Sequence, residues 1–136
     1  MSRIGQVRDW VQSCPVCEGI VRLMADVSES GSASLPGDAV DELVSQFLDG
    51  SEVRRMTFTV YLKLPWSDGA DDLNERAASL GESWIDWFDA QVSSPLPNTR
   101  SVEPVYRSPQ LTAVDETGQT ATYSFSVRIE YLKEES

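Results

Sequence analysis

Val53-Arg54-Arg55-Met56-Thr57-Phe58-Thr59-Val60-Tyr61-Leu62-Lys63-Leu64 alternates without a break from Arg55 onward. Met56, Phe58, Val60, Leu62 and Leu64 fall on one side of an extended chain. Arg55, Thr57, Thr59, Tyr61 and Lys63 fall on the other, the period of two that marks a strand with one buried face. A second run, Ala121 to Leu132, sets Tyr123, Phe125, Val127, Ile129 and Tyr131 against Thr122, Ser124, Ser126, Arg128 and Glu130. Two such strands need a second layer to cover their apolar faces, and the chain holds two helical stretches that can supply it.

The first helix is expected over Arg3 to Gln12. Ser2 is placed to cap it, and Ile4, Val7, Trp10 and Val11 share one face. The second is expected over Asp72 to Val92, with Asp71 or Asp72 as cap and Glu75 in the first turn, where negative charge suits the helix dipole. Leu73, Ala77, Leu80, Trp84, Trp87, Phe88 and Gln91 trace its apolar stripe. Gly81 interrupts it at a cost of about 1 kcal/mol against alanine.

Three further strands complete the pattern. Ile20 to Val27 alternates imperfectly. Leu43 to Leu48 faces the long run across Asp49-Gly50-Ser51-Glu52, a hairpin signal. Val102 to Val114, interrupted by Pro104 and Pro109, suits an edge strand that pairs with Ala121 to Leu132 across an acidic turn at Asp115 to Gln119. The order is α-β-β-β-α-β-β. This predicts an α+β fold, a single domain over 1–136. A mostly antiparallel sheet of four to five strands carries both helices on one face. The Ser- and Gly-rich stretch 28–37 is expected to be a mobile loop.

The chain's 136 residues include 22 acidic and 11 basic side chains, two cysteines and no histidine, for a net charge of -11. The lack of histidine removes His-based acid–base chemistry, a Ser-His-Asp triad and His-ligated zinc. The negative charge argues against a grip on nucleic acid, which needs clustered Lys and Arg. No stretch reaches the ~18 to 20 apolar residues of a membrane span, and Met1 to Gly19 lacks a signal peptide's apolar centre. The expectation is a protein made in a reducing cytoplasm with Cys14 and Cys17 as thiols.

Chemistry-bearing patterns are few. Cys14-Pro15-Val16-Cys17 follows a helix instead of opening one, and a zinc site would need two more ligands, so a turn with two thiols is expected. Asp68-Gly69-Ala70-Asp71-Asp72 lacks calcium-loop spacing and reads as capping. Asp38, Asp41 and Glu42 read as a solvated loop. Glu82 and Asp86, one helical turn apart, lack a complementary carboxylate pair and read as the wet helix face. Trp66, in a Pro-Trp-Ser-Asp-Gly loop, is either an interface anchor or a lid over the core. Neither an enzyme activity nor any cofactor or metal is expected.

Laid end to end, Ile4 to Gln12, then Phe47-Leu48-Asp49-Gly50-Ser51-Glu52-Val53-Arg54-Arg55 entering a long strand, Gly69-Ala70-Asp71 ahead of Ser83-Trp84-Ile85-Asp86-Trp87-Phe88, and Asp115-Glu116 ahead of Ala121-Thr122-Tyr123 form a pattern. Over nearly its whole length the chain resembles the tail terminator (minor tail or minor capsid) proteins of long-tailed bacteriophages and related prophages. The resemblance implies a small α+β subunit that forms a ring, usually a hexamer, on the end of the tail tube. Such a ring stops tube polymerisation and presents a docking face to the head. The partners implied are further copies of the chain, the tail tube protein and a head–tail connector or stopper protein. DNA would pass through the lumen without specific binding, no membrane would be involved, and the protein would reside at the virion's head–tail junction after synthesis in the host cytoplasm. Interface candidates, taken from charge contrast, are Arg54 and Arg55 on one side and Glu82, Asp86, Asp115 and Glu116 on the other, with Trp66 as a possible anchor. Two other readings are a head-completion or connector (neck) protein and a non-viral acidic adaptor.

Overall fold

The two alternating runs become the two longest strands, and they pair with each other from end to end. The computed structural model describes residues 2–17, 21–23, 33–35, 39–67 and 69–134. Its elements are α1 (Arg3–Gln12), β1 (Val21–Arg22), β2 (Ala33–Ser34), β3 (Val40–Gln46), β4 (Glu52–Pro65), α2 (Asp71–Asp89), β5 (Thr99–Pro104), β6 (Gln110–Val114) and β7 (Thr120–Lys133). β4 and β7 hold 14 residues each, on the order of 45 Å at ~3.3 Å per residue. They run antiparallel, from Glu52 opposite Lys133 at one end to Pro65 opposite Thr120 at the other.

The fold is α+β, with a sheet larger than expected. Among the described residues seven strands join in it, in the order β1-β2-β4-β7-β5, with β3 also on β4 and β6 also on β7. The observed order is α-β-β-β-β-α-β-β-β. Among the described residues only β1 and β2 pair in parallel. Two corrections account for the added strands. First, the segment expected to be a mobile loop contains β2, which pairs with β4 through Leu62 and Tyr61. Ala33, Ser34 and Leu35 are buried there; positions 28–32, 36 and 37 lie outside the described residues. Second, the single strand expected over Val102 to Val114 is two. β5 ends at Pro104 and β6 begins just after Pro109, because proline cannot donate to the ladder. Both pieces pair with β7, at different levels.

The remaining boundaries shift for local reasons. β3 runs Val40–Gln46, and Phe47 and Leu48 belong to the turn instead of the strand. Of the strand expected over Ile20 to Val27, Val21–Arg22 is β1; Ile20 and 24–27 are outside the described residues. α2 starts at Asp71 with Ala70 as N-cap and no side-chain capping bond. Neither Asp71 nor Asp72 is the cap; both lie in the first turn, where their charge opposes the helix dipole's positive end. The start is instead tied down by Asn74, whose side chain accepts from Ser67 N–H at 3.0 Å and donates to Ser67 C=O at 2.9 Å. Ser2 caps α1 as expected, accepting from Gly5 N–H at 3.0 Å.

Both helices cover the apolar side of the sheet. Val7 and Val11 of α1 and Ala77, Trp84, Ile85 and Phe88 of α2 share one core with Met56, Phe58, Val60, Leu62, Leu64, Phe125, Val127, Ile129 and Tyr131. Trp10 links the helices, its ring 5.3 Å from Phe88 and 5.6 Å from Trp87. The other side of the sheet is polar. Thr59 and Ser126 hydroxyls meet at 2.8 Å across β4 and β7, and Arg128 pairs with Glu103 at 3.3 Å.

Gly81 has a packing reason. A Cβ there would lie 2.8 and 2.9 Å from Pro109 ring carbons, so the bare backbone lets the β5–β6 connection lie directly on α2. Gly81→Ala gains about 1 kcal/mol of helix propensity but forces a rigid ring away. We expect a net loss of about 1 to 2 kcal/mol, read by urea denaturation. A more stable variant would show that Pro109 yields freely.

Candidate functional site

Arg54 and Arg55 are neighbours in sequence, so the pleat of β4 sends them to opposite faces. Arg54 lies on the helix side, where it donates to Asp41 from β3 at 2.9 Å and to Glu52 at 2.7 Å. A further bond reaches the Asp41 carbonyl at 3.2 Å. The Glu52 bond first, and the Asp41 bond next, hold its guanidinium more firmly protonated than usual. Arg55 lies on the polar side, in looser contact with Glu130 at 3.7 Å and Glu42 at 3.8 Å.

Asp41 and Glu42, expected in a solvated loop with Asp38, lie instead on β3, while Asp38 is outside the described residues. Asp41 is the hub of the helix-side cluster. Its second carboxylate oxygen accepts from the Tyr131 hydroxyl at 2.6 Å and stands 3.7 Å from Arg3 at the start of α1. One side chain thereby ties β3 to β4, β7 and α1. Tyr131 is fully buried. Burial chiefly, then the bond to Asp41 and its charge, push the phenol up to about 12. A phenol whose pKa is higher folded than unfolded (~10) contributes stability that is complete below pH ~10 and lost as pH rises toward 12. We expect an alkaline loss of about 2 to 3 kcal/mol from this group, seen as a falling melting temperature between pH 10 and 12. Tyr131→Phe should flatten most of that limb; an unchanged limb would assign it elsewhere.

The other predicted residues lie apart from this cluster. Asp115 and Glu116 are exposed in the β6–β7 turn, at the far end of the sheet from Arg54. The Thr117 hydroxyl, first among several hydrogen bonds, lowers the Asp115 pKa. Trp66 sits at the same far end, half-buried. Its backbone N–H donates to Gln119 C=O at 2.9 Å and its ring lies 6.5 Å from Tyr123, so it closes the end of the core as a lid. Glu82 and Asp86 are exposed on the outer side of α2. The structure therefore brings Arg54 together with Asp41 and Glu52 of its own chain, and with none of the four predicted acidic partners.

Cys14 is buried and Cys17 half-buried, and the Gln12 side-chain amide donates to the Cys17 sulfur at 3.4 Å. Cys17 N–H donates to Cys14 C=O at 2.9 Å, closing a tight turn after α1. Burial raises the Cys14 thiol pKa, opposite to a reactive thiolate. Among the described residues no three His, Cys, Asp or Glu side chains converge as a metal site requires. Cys14→Ala with Cys17→Ser should keep the fold, at a cost of about 1 to 2 kcal/mol for the buried sulfur. Loss of folding on adding a reductant or chelator to the wild-type protein would overturn that.

Sequence reasoning missed the edges of the sheet. Six of the seven β3 residues and all five of β6 are exposed, including Val40, Leu43, Val44, Leu111 and Val114. Beyond β3, Asp49 accepts from Ser51 N–H at 2.9 Å and from its hydroxyl at 2.6 Å. That braces a turn on which Leu48 is wholly exposed and Phe47 half-exposed. The signal was available in Leu43-Val44 and Phe47-Leu48, adjacent apolar pairs that cannot both face one core. A comparison of the sequence with known protein-family models and with curated proteins gives no match.

Proposed function

We propose that this chain is a structural ring protein of the tail terminator type, capping a phage tail tube and joining it to the head. The resemblance pattern from Phe47 to Arg55, Ser83 to Phe88 and Asp115 to Tyr123 supports this family reading. The observation that carries the reading is the pair of uncovered strands, β3 and β6, on opposite edges of one sheet. A closed ring is heterologous, so each subunit must offer two different patches facing opposite ways, and these edges meet that requirement. Charge agrees with the role. Asp71, Asp72, Glu75, Glu82, Asp86 and Asp89 stand exposed on α2 against Arg76 alone, within a chain of net charge -11. Such a surface repels a passing duplex instead of retaining it.

Imaging of assembled particles carrying a tagged chain tests the proposal. Density for the tag is expected at the tube's head-proximal end, and particles lacking the chain should carry overgrown tails or tails without heads. Absence from the junction would end the reading. Density on the head side of the junction would favour a connector instead.

A further inference from the structure

We infer that the two uncovered edges pair with each other between copies, β6 of one subunit adding as a strand beside β3 of the next. This rests on the ring reading above and names its interface. Strand direction supports it. β3 runs antiparallel to β4, β4 to β7, and β7 to β6, so β3 and β6 of one chain point in opposite senses. Copies related by rotation about a ring axis keep their sense, and β6 then meets its neighbour's β3 antiparallel. The alternation continues from subunit to subunit.

Side chains match as well. Leu43 pairs in register with Arg54, Leu111 with Tyr123 and Val114 with Ala121, which places all three on the helix side. Joining the edges would extend the apolar layer from one subunit to the next. β6, Gln110-Leu111-Thr112-Ala113-Val114, carries no charge, proline or lysine, the usual guards of an edge. Each edge has one bulge, at Leu43/Ser45 and at Leu111/Ala113, which bends it without covering it.

Charge selects the partner. Two β3 strands face to face would gather Asp41 and Glu42 of both copies, four carboxylates, on one short ladder, and like charges across a ladder are unfavourable. Uncharged β6 lies beside those carboxylates without that cost. The two edges also sit at different heights, since Leu43 is level with Arg54 but Leu111 is level with Leu62, eight residues along β4. At ~3.3 Å per residue this is an offset of about 26 Å. A ring built this way must incline its strands to the axis, as shear does in a closed barrel.

The test uses the full chain with Cys14→Ala and Cys17→Ser, after its melting has been checked against wild type. Leu43→Cys and Leu111→Cys introduced together should, on oxidation, give a non-reducing ladder ending at the oligomer mass that native mass spectrometry finds for wild type. Either single variant should stay monomeric on the gel. Dimers from Leu111→Cys alone, or from Leu43→Cys alone, would overturn the pairing in favour of a two-fold contact. A ladder with Ser101→Cys in place of Leu111→Cys would move the contact to β5 and also overturn it. A wild-type ring without any ladder removes the strand pairing and leaves the ring reading standing. A wild-type chain monomeric at every concentration, with no ladder and no place at the tail–head junction, removes both. Because Leu111 is 48% exposed, Leu111→Asp should leave the monomer's melting unchanged while weakening assembly at least about tenfold; unweakened assembly would again overturn the pairing.

Discussion

Phe88→Ala is expected to lower the free energy of unfolding by about 3 to 5 kcal/mol, the largest single effect in the core. Phe88 is fully buried. Its ring centre lies 5.0 Å from Trp87, 5.3 Å from Trp10, 5.7 Å from Phe125 and 6.0 Å from Phe58. Four aromatic neighbours on α1, α2, β4 and β7 thus meet on one side chain, three edge-on and one tilted, the favourable arrangements. Rigid rings held by two strands and two helices cannot collapse into the space a truncation leaves, so the cavity cost adds to the transfer cost. Chemical denaturation with an unchanged m-value measures it. A loss under 1 kcal/mol would show that the helices are not docked through Phe88. Leu80→Ala, at a partly buried position on the same helix, should cost clearly less.

The centre of the fold was legible because its physics is local and periodic. Arg55 to Leu64 and Ala121 to Glu130 show their core sides by parity alone, and the structure pairs them over that whole span. The helix's buried face is wider than its spacing predicts, since Ile85, outside the i, i+4, i+7 stripe, is fully buried. Ala77, Gly81, Trp84, Ile85 and Phe88 form a wider arc than a single row, because α2 packs on β5 as well as on the central strands. β2 was illegible. Ala33 and Ser34 sit in a composition typical of linkers, and only pairing with Leu62 and Tyr61, distant in sequence, makes them a strand. The division at Pro104 and Pro109 could have been anticipated from proline chemistry, but not the different levels at which the two pieces join β7.

The candidate interface was less legible, and for a specific reason. Charge contrast is a property of the whole chain, whereas an interface depends on which charges are already engaged. Arg54 finds Asp41, 13 residues upstream, through a hairpin register that composition does not encode. The uncovered edges carried the opposite signal. Leu43-Val44 and Phe47-Leu48 break the alternation, and such a break in an otherwise periodic hairpin marks apolar surface that the subunit itself does not bury.

Arg54→Glu is the second large effect expected, and it concerns the fold before assembly. The substitution removes bonds of 2.7 and 2.9 Å to Glu52 and Asp41 and sets a third carboxylate beside those two. Asp41 would still hold the Tyr131 hydroxyl, but with only Arg3, 3.7 Å away and half-exposed, to balance its charge. The Arg54 and Asp41 side chains are 23% and 18% exposed, so water screens part of the loss. A cost of roughly 2 to 3 kcal/mol is expected, below that of breaking a fully buried pair. Arg55→Glu provides the contrast. Its partners stand at 3.7 and 3.8 Å on the open polar face, where such pairs contribute about 1 kcal/mol or less. A double substitution would therefore confound unfolding with failure to assemble, while Arg55→Glu alone leaves a folded subunit in which assembly can be read. Equal melting of the two single variants would mean that the Asp41 cluster does not pin β3 to β4. The β3 edge would then be free to detach, and the strand pairing proposed between subunits would lose the rigid template it requires.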